Sequence, residues 1–336
     1  MSDSGYPIEV LDPTPRPHEV HVIYPPRRRY WPHLLLFVAT VFTTLVVGAR
    51  LQYNFSLGLP QFHSDADLFP LSWALQHPRN LVLGIPFSVT LLGILLAHEM
   101  GHFFYAQRNH VYATLPFFLP APTLIGTMGA FIRIRSPIRT RAALFDIGIA
   151  GPIAGFVAAA PTLLLALMAS RPAASQPTDS GLVLGFPLIF QLAWKLLHPH
   201  GALQLAQLSL SPVAIAAWVG MFATSLNLLP GGQLDGGHIV YALSPRSHKL
   251  VSRLTVLALV PLGVFSWAGW LFWAALLLVS LMRHPPVPEY PPLDRKRKLL
   301  GWFALLMFVL TMLPAPFSQI DPKNGVQRAG LWQMLH

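Results

Sequence analysis

Cysteine is missing altogether from the 336 residues. Disulfide staples and thiolate metal sites are therefore excluded, and any metal must be held by His, Asp or Glu. Charge is scarce too: charged residues make up 11% of the chain against 53% hydrophobic ones, with a mean hydropathy of +0.51. Such a chain cannot clothe a soluble globule in a normal charged surface, and it reads as a polytopic membrane protein. Glutamate occurs only at Glu9, Glu19, Glu99 and Glu289, so each one is conspicuous. The first thirty residues lack the apolar core and small-residue cleavage site of a signal peptide, and no repeat period is present.

The formal net charge of +10 would suit nucleic acid, but the basic residues cluster beside apolar runs, as at Arg27-Arg28-Arg29 and Arg295-Lys296-Arg297-Lys298. That placement fits the positive-inside rule, and nucleic acid is not expected as a partner. The apolar runs are Leu34 to Ala49, Leu81 to Tyr105, Ala143 to Met168, Pro212 to Leu229, Leu254 to Met282 and Leu299 to Leu313. The fifth is long and carries Pro261, Gly263 and Gly269. Reading it as a hairpin keeps both basic clusters on one side of the membrane, with Arg108, Arg133, Arg135, Arg139 and Arg141. Gly181 to Pro199 is read as an interfacial amphipathic helix, since a crossing there would invert the fourth run. The organisation expected is a Pro-rich basic tail over 1–30, a first transmembrane helix and loop over 31–80, a catalytic membrane core over 81–243, C-terminal helices with a basic loop over 244–314, and a tail over 315–336.

Two polar constellations interrupt the apolar sequence. In His98-Glu99-Met100-Gly101-His102 the histidines are four residues apart, so on a helix both imidazoles share one face and can direct nitrogens at one Zn²⁺. Glu99, beside the first ligand, is placed to act as base towards a zinc-bound water. The alternative is a solvated polar helix face, but ionisable groups inside an apolar span are costly unless paired or metal-bound. A third protein ligand is needed, and Asp235 in Asn227-Leu-Leu-Pro230-Gly-Gly-Gln-Leu-Asp235-Gly236-Gly237 is the candidate. Taken alone, that stretch reads as a turn after a helix break. His238 is a rival ligand. His18-Glu19-Val20-His21 has the wrong spacing for one helix face and is set aside. Runs two and four descend to the same side, which would let His98, His102 and Asp235 meet. A hydrolase that cleaves peptide bonds in the membrane fits this inventory; a transporter or channel using the same ionisable groups as a proton or metal-ion pathway is the alternative.

His98-Glu-x-x-His102 with Asn227-x-x-Pro230-x-x-x-Leu234-Asp235-Gly236 resembles the site-2 protease family of intramembrane zinc metalloproteases. Gly148-Ile-Ala-Gly151-Pro152-Ile-Ala-Gly155 resembles that family's glycine motif, read here as a helix-packing device. The likeness covers Leu81 to Leu243. It implies an all-α polytopic fold of six or seven transmembrane helices around a three-helix catalytic core, with zinc on His98, His102 and Asp235. Glu99 is the implied general base, and Asn227 the residue that positions substrate or stabilises the oxyanion, although Asn227 could instead cap the broken helix. Pro116 to Arg133 resembles the family's re-entrant β-like loop, whose edge would pair with an unwound substrate segment. Implied partners are transmembrane protein substrates, often already trimmed by another protease, and membrane lipid. The forty or so residues between runs three and four leave little room for a PDZ insert. The expected location is a bacterial cytoplasmic membrane with the site toward the cytoplasm, an organelle being the alternative; oligomeric state is unreadable.

Overall fold

Long runs of apolar residues leave the backbone one way to satisfy its amides in lipid, the helix, and helices dominate the computed structural model. It describes residues 30–62, 67–122, 124–172, 182–199, 205–280, 287–288, 291–321 and 325–328. The basic tail, its Arg27-Arg28-Arg29 cluster and the His18-Glu19-Val20-His21 pattern lie outside these residues. In chain order the helices are α1 (Trp31–Ser56), α2 (Leu71–Gln76), α3 (Ile85–Arg108), α4 (Arg141–Met168), α5 (Leu188–Leu197), α6 (Pro212–Asn227), α7 (Asp235–Leu243), α8 (Pro245–Phe265), α9 (Gly269–Ser280) and α10 (Arg295–Thr311). Strands β1 (Phe117–Pro120) and β2 (Thr127–Phe131) separate α3 from α4; β3 (Arg171–Pro172), β4 (Leu182–Leu184) and β5 (Leu208–Ser209) lie between α4 and α6; β6 (Phe317–Asp321) and β7 (Gly325–Arg328) follow α10. Four helical stretches, 31–56, 78–108, 141–168 and 245–265, are long and apolar enough to cross a membrane, and α5, α6 and α9 are shorter apolar helices. The protein is a multi-pass membrane protein.

Helix ends obey local rules. Thr140 caps α4 by accepting from the Ala143 amide, and Ser211 caps α6 by accepting from Ala214, with Pro212 at the first helical position. The apolar block from Leu254 divides at Ser266–Ala268 into α8 and α9, which pack on each other as a hairpin. α5 is a ten-residue helix, too short to cross, between strands of the same connection. The segment read as a C-terminal tail supplies β6 and β7, which join β4 in an antiparallel sheet. That sheet and the β3–β5 pair gather the connections remote from the histidines. The indoles of Trp218 and Trp270 are anchored there, donating to the carbonyls of Gly185 and Pro314 at 2.7 and 2.8 Å.

The core sits where α1, α3, α4, α6 and α9 meet, around buried Phe87, Leu91, Leu163, Trp218, Met221 and Trp270. α3 and α4 share the largest interface. Their approach depends on Gly101, where an added Cβ would lie 2.5 Å from the Ala150 carbonyl oxygen. The Pro116-to-Arg133 segment forms the β1–β2 hairpin, pairing Phe117 with Phe131 and Phe118 with Ala130 before an irregularity at Leu119. Thr127 spans that irregularity by donating to the Leu119 carbonyl at 2.8 Å. Gly126, with a positive φ of 78°, packs against the backbone of Thr43 and Thr44 on α1, and the Thr43 hydroxyl donates to its carbonyl at 2.6 Å. The hairpin is thereby pinned along α1, and among the described residues β2 has a single strand partner.

Candidate metal centre

Four residues per helical turn, give or take a fraction, place His98 and His102 on one face of α3, and the fold buries that face against α4. The two side chains and Glu99 between them are nearly sealed, with 5%, 7% and 6% of their surfaces exposed. The glycines of α4 make this possible. A Cβ on Gly151 would overlap the His102 ring, and one on Gly155 would sit 3.1 Å from His98 Nδ1. The stripe read from sequence as a packing device is thus packing of a particular kind, since it makes room for two imidazoles.

Asp235 arrives from the other side of the site. α6 ends at Asn227, and Leu228 to Leu234 turns the chain back so that Asp235 opens α7, where a carboxylate also complements the helix dipole. The turn is tight. A Cβ on Gly236 would strike the Leu228 carbonyl, and one on Gly237 would lie 2.5 Å from the carbonyl oxygens of Gly231 and Gly232. α8 clasps this turn. Ser252 accepts from the Gly232 amide at 3.2 Å, the His248 ring lies 3.1 Å from the Gly232 carbonyl, and Thr255 donates to the Pro230 carbonyl at 3.2 Å. At the far end of α7, the buried Arg141 guanidinium donates to the carbonyls of Ala242 (2.8 and 2.5 Å) and Leu243 (2.9 Å), which would otherwise end the helix unpaired. The helix carrying Asp235 is fixed at both ends.

The outcome is convergence. His98 Nε2 and His102 Nε2 are 3.1 Å apart, and Asp235 Oδ2 lies 3.3 and 3.2 Å from them. No other set of three or more His, Cys, Asp or Glu residues gathers this way among the described residues. His102 Nδ1 is 2.7 Å from the Ile147 carbonyl, so the proton resides on Nδ1 and the Nε2 lone pair faces the cluster. Tetrahedral zinc with bonds of about 2.0–2.1 Å separates its donors by about 3.3 Å, which is the spacing found here. Two nitrogens and one carboxylate oxygen also leave a fourth position open, as in catalytic zinc sites. The donor set fits zinc.

Glu99 faces this cluster with its carboxylate accepting from the Ile132 amide, just past β2. The Asn227 side-chain nitrogen sits 3.1 Å from His98 Nε2, so this residue reaches the site as well as ending its helix. A cavity of about 230 Å³ opens over the ligands and is lined by Glu99, Asn227, Ala130, Phe131 and Ile132; His238 borders it but does not join the ligand cluster. A second, of about 110 Å³, also touches His98 and Glu99 and is bounded by Met128, Gly129, Ala130, Thr224 and Trp273. β2 runs along both. Asp146 on α4 accepts from Nε and Nη2 of Arg297 on α10 at 2.8 and 2.6 Å. Thr140 has taken the capping position, and Asp146 lies more than a turn inside the helix. Sequence reasoning passed over Ile147, Ile132, Arg141 and the three clasping residues of α8. The first two act through backbone atoms, which carry no residue-type signal. The helical spacing of the polar residues 248, 252 and 255 along one face of α8 was a legible sign.

A family model described as peptidase family M50 matches residues 86–268, more than half of the chain. Among curated proteins, the chain is 30% identical over 308 residues to "Probable zinc metalloprotease EGY1, chloroplastic" of Arabidopsis thaliana, covering 87% of this chain and 54% of the relative. It is also 30% identical over 274 residues to "Probable zinc metalloprotease EGY2, chloroplastic" of the same plant, covering 79% and 47%. "Probable zinc metallopeptidase EGY3, chloroplastic" is 28% identical over 250 residues, covering 68% and 43%. The chain spans about half the length of the curated relatives it matches.

Proposed function

Because the chain belongs to peptidase family M50, the site-2 protease family, we propose that it is an intramembrane zinc metalloprotease that hydrolyses peptide bonds within transmembrane segments of other proteins. The observation that carries this reading is the meeting of His98 Nε2, His102 Nε2 and Asp235 Oδ2 within 3.3 Å of one another beside the buried carboxylate of Glu99. Zinc held by these three residues supplies a Lewis acid that makes water nucleophilic near neutral pH and polarises the scissile carbonyl.

The rest of the chemistry belongs to the chain. Glu99 takes the proton of the attacking water and returns it to the leaving amine. The Asn227 amide donates to the oxygen on which negative charge develops. A substrate helix must surrender its intrahelical hydrogen bonds before its carbonyl can be reached, and the edge of β2 that no described strand covers offers replacements along a line that passes both cavities. Substrates with helix-weakening residues near the cleaved bond are therefore favoured. Six or seven helices then cross the bilayer around an α3, α4 and α6 core. Positive-inside logic directs the site end toward the cytoplasm of a bacterial cell, or toward the equivalent face of an organelle.

Purified protein should contain one zinc per chain and cleave a transmembrane reporter, while Glu99→Gln keeps the zinc and loses cleavage by a factor on the order of 10² or more. Equal processing by both forms would reject Glu99 as the base. Zinc flux driven by a gradient, without cleavage, would favour the transporter reading.

A further inference from the structure

On the opposite side of α7 from the metal centre, a groove of about 470 Å³ runs between α7 and α10. Its α10 wall is set by Lys298, Trp302, Leu305 and Phe308, and its inner end by Leu228 and Pro230. These α10 residues recur at helical spacing, and the ten-residue rise from Lys298 to Phe308 is about 15 Å. That is the hydrocarbon depth of one leaflet, half of a core about 30 Å thick. The lining beyond the first turn of α10 is apolar, whereas Lys298, an exposed cation, stands at the mouth, with the exposed Arg295 and Lys296 on the same turn of helix. Arg297, the remaining basic residue of that turn, is engaged by Asp146 and Asp294.

We propose that this groove binds an anionic phospholipid from the surrounding leaflet, with its phosphate at Lys298 and one acyl chain lying along α10 as far as Phe308. The depth of about 15 Å suits one acyl chain of one leaflet, whereas a transmembrane helix needs about 30 Å of apolar surface to cross. The cations at the mouth select an anionic headgroup over a zwitterionic one. Leu228 and Pro230 belong to the turn that links Asn227 to Asp235, so the chain end of the bound lipid rests on the segment that joins two residues of the metal centre.

Trp302 supplies the probe. The full chain is placed in nanodiscs containing graded amounts of phosphatidylglycerol or phosphatidylcholine with brominated acyl chains, and the Trp302 signal is taken as the difference between the wild type and Trp302→Phe. Half-maximal quenching is expected at a several-fold lower fraction of the anionic lipid. Lys298→Gln should reduce that preference by about fivefold, whereas Arg253→Gln, an equal loss of charge at an exposed position on α8, should leave it unchanged. Equal quenching by both lipids in the wild type would mean ordinary annular lipid, and no Trp302 quenching by either would mean the groove is closed to lipid. Loss of preference in Arg253→Gln as large as in Lys298→Gln would mean long-range attraction without a headgroup site. Any of these three results overturns the proposal.

Discussion

At the scale of single residues, the metal centre depends as much on atoms without charge as on its ligands. Gly151 has no functional group, yet a methyl there would occupy the volume of the His102 ring. Gly151→Ala is expected to cost about 1–3 kcal/mol as overpacking and to lower zinc content. Metal analysis and thermal unfolding of the purified variant check this, and normal zinc with normal stability would show that the ring can move aside. Asp235→Asn keeps the shape and removes the ligand charge, so zinc should be lost while the fold persists.

At the scale of elements, the short helix α7 is where catalysis and stability intersect. Its first residue is the proposed third zinc ligand, and its last carbonyls are held by Arg141 from α4. Hydrogen bonds from a charged donor are worth on the order of 1.5–3 kcal/mol, so Arg141→Ala should destabilise the protein by that amount and weaken zinc binding, although Arg141 touches no ligand. Arg141→Lys, which can restore only part of the forked contact, should fall between. If zinc affinity is unchanged in both, α7 does not need its C-terminal anchor to present Asp235. The Asp146–Arg297 pair joins α4 to α10 with both side chains partly exposed, and replacing either should cost no more than about 1 kcal/mol.

For the whole molecule, the chain directions bring the ends of α3 and α6 and the start of α4 to one side, and the strand-rich connections to the other. The lack of cysteine becomes useful here, because any introduced thiol is unique. Single cysteines at Arg139, Lys249 and Lys296 should react with a membrane-impermeant reagent from one face of the membrane, and those at Gln76 and Arg171 from the other; all five positions are exposed. Labelling of Lys249 and Arg171 from the same face would sink this topology. Because α8, α9 and α10 alternate in direction, it also tests the break at Ser266 to Ala268.

Much was legible in one dimension because the solvent is so demanding. Lipid enforces apolar runs about as long as the bilayer is thick, and inside them a His-Glu-x-x-His pattern stands out, since ionisable groups there need a reason. Spacing along a single helix likewise decided that His98 and His102 share a face. That Asp235 completes the set rested on elimination and family likeness, and only the packed structure brings it within 3.3 Å of both rings. The same holds for the Ile132 amide, the Ile147 carbonyl, the Arg141 anchor and the clasp from α8. Local sequence determines what one helix presents and how deep it sits, because those depend on period and solvent. Which helices meet, and which backbone atoms they offer one another, depends on contacts between residues far apart in the chain, and these are settled only when the helices close around their glycines.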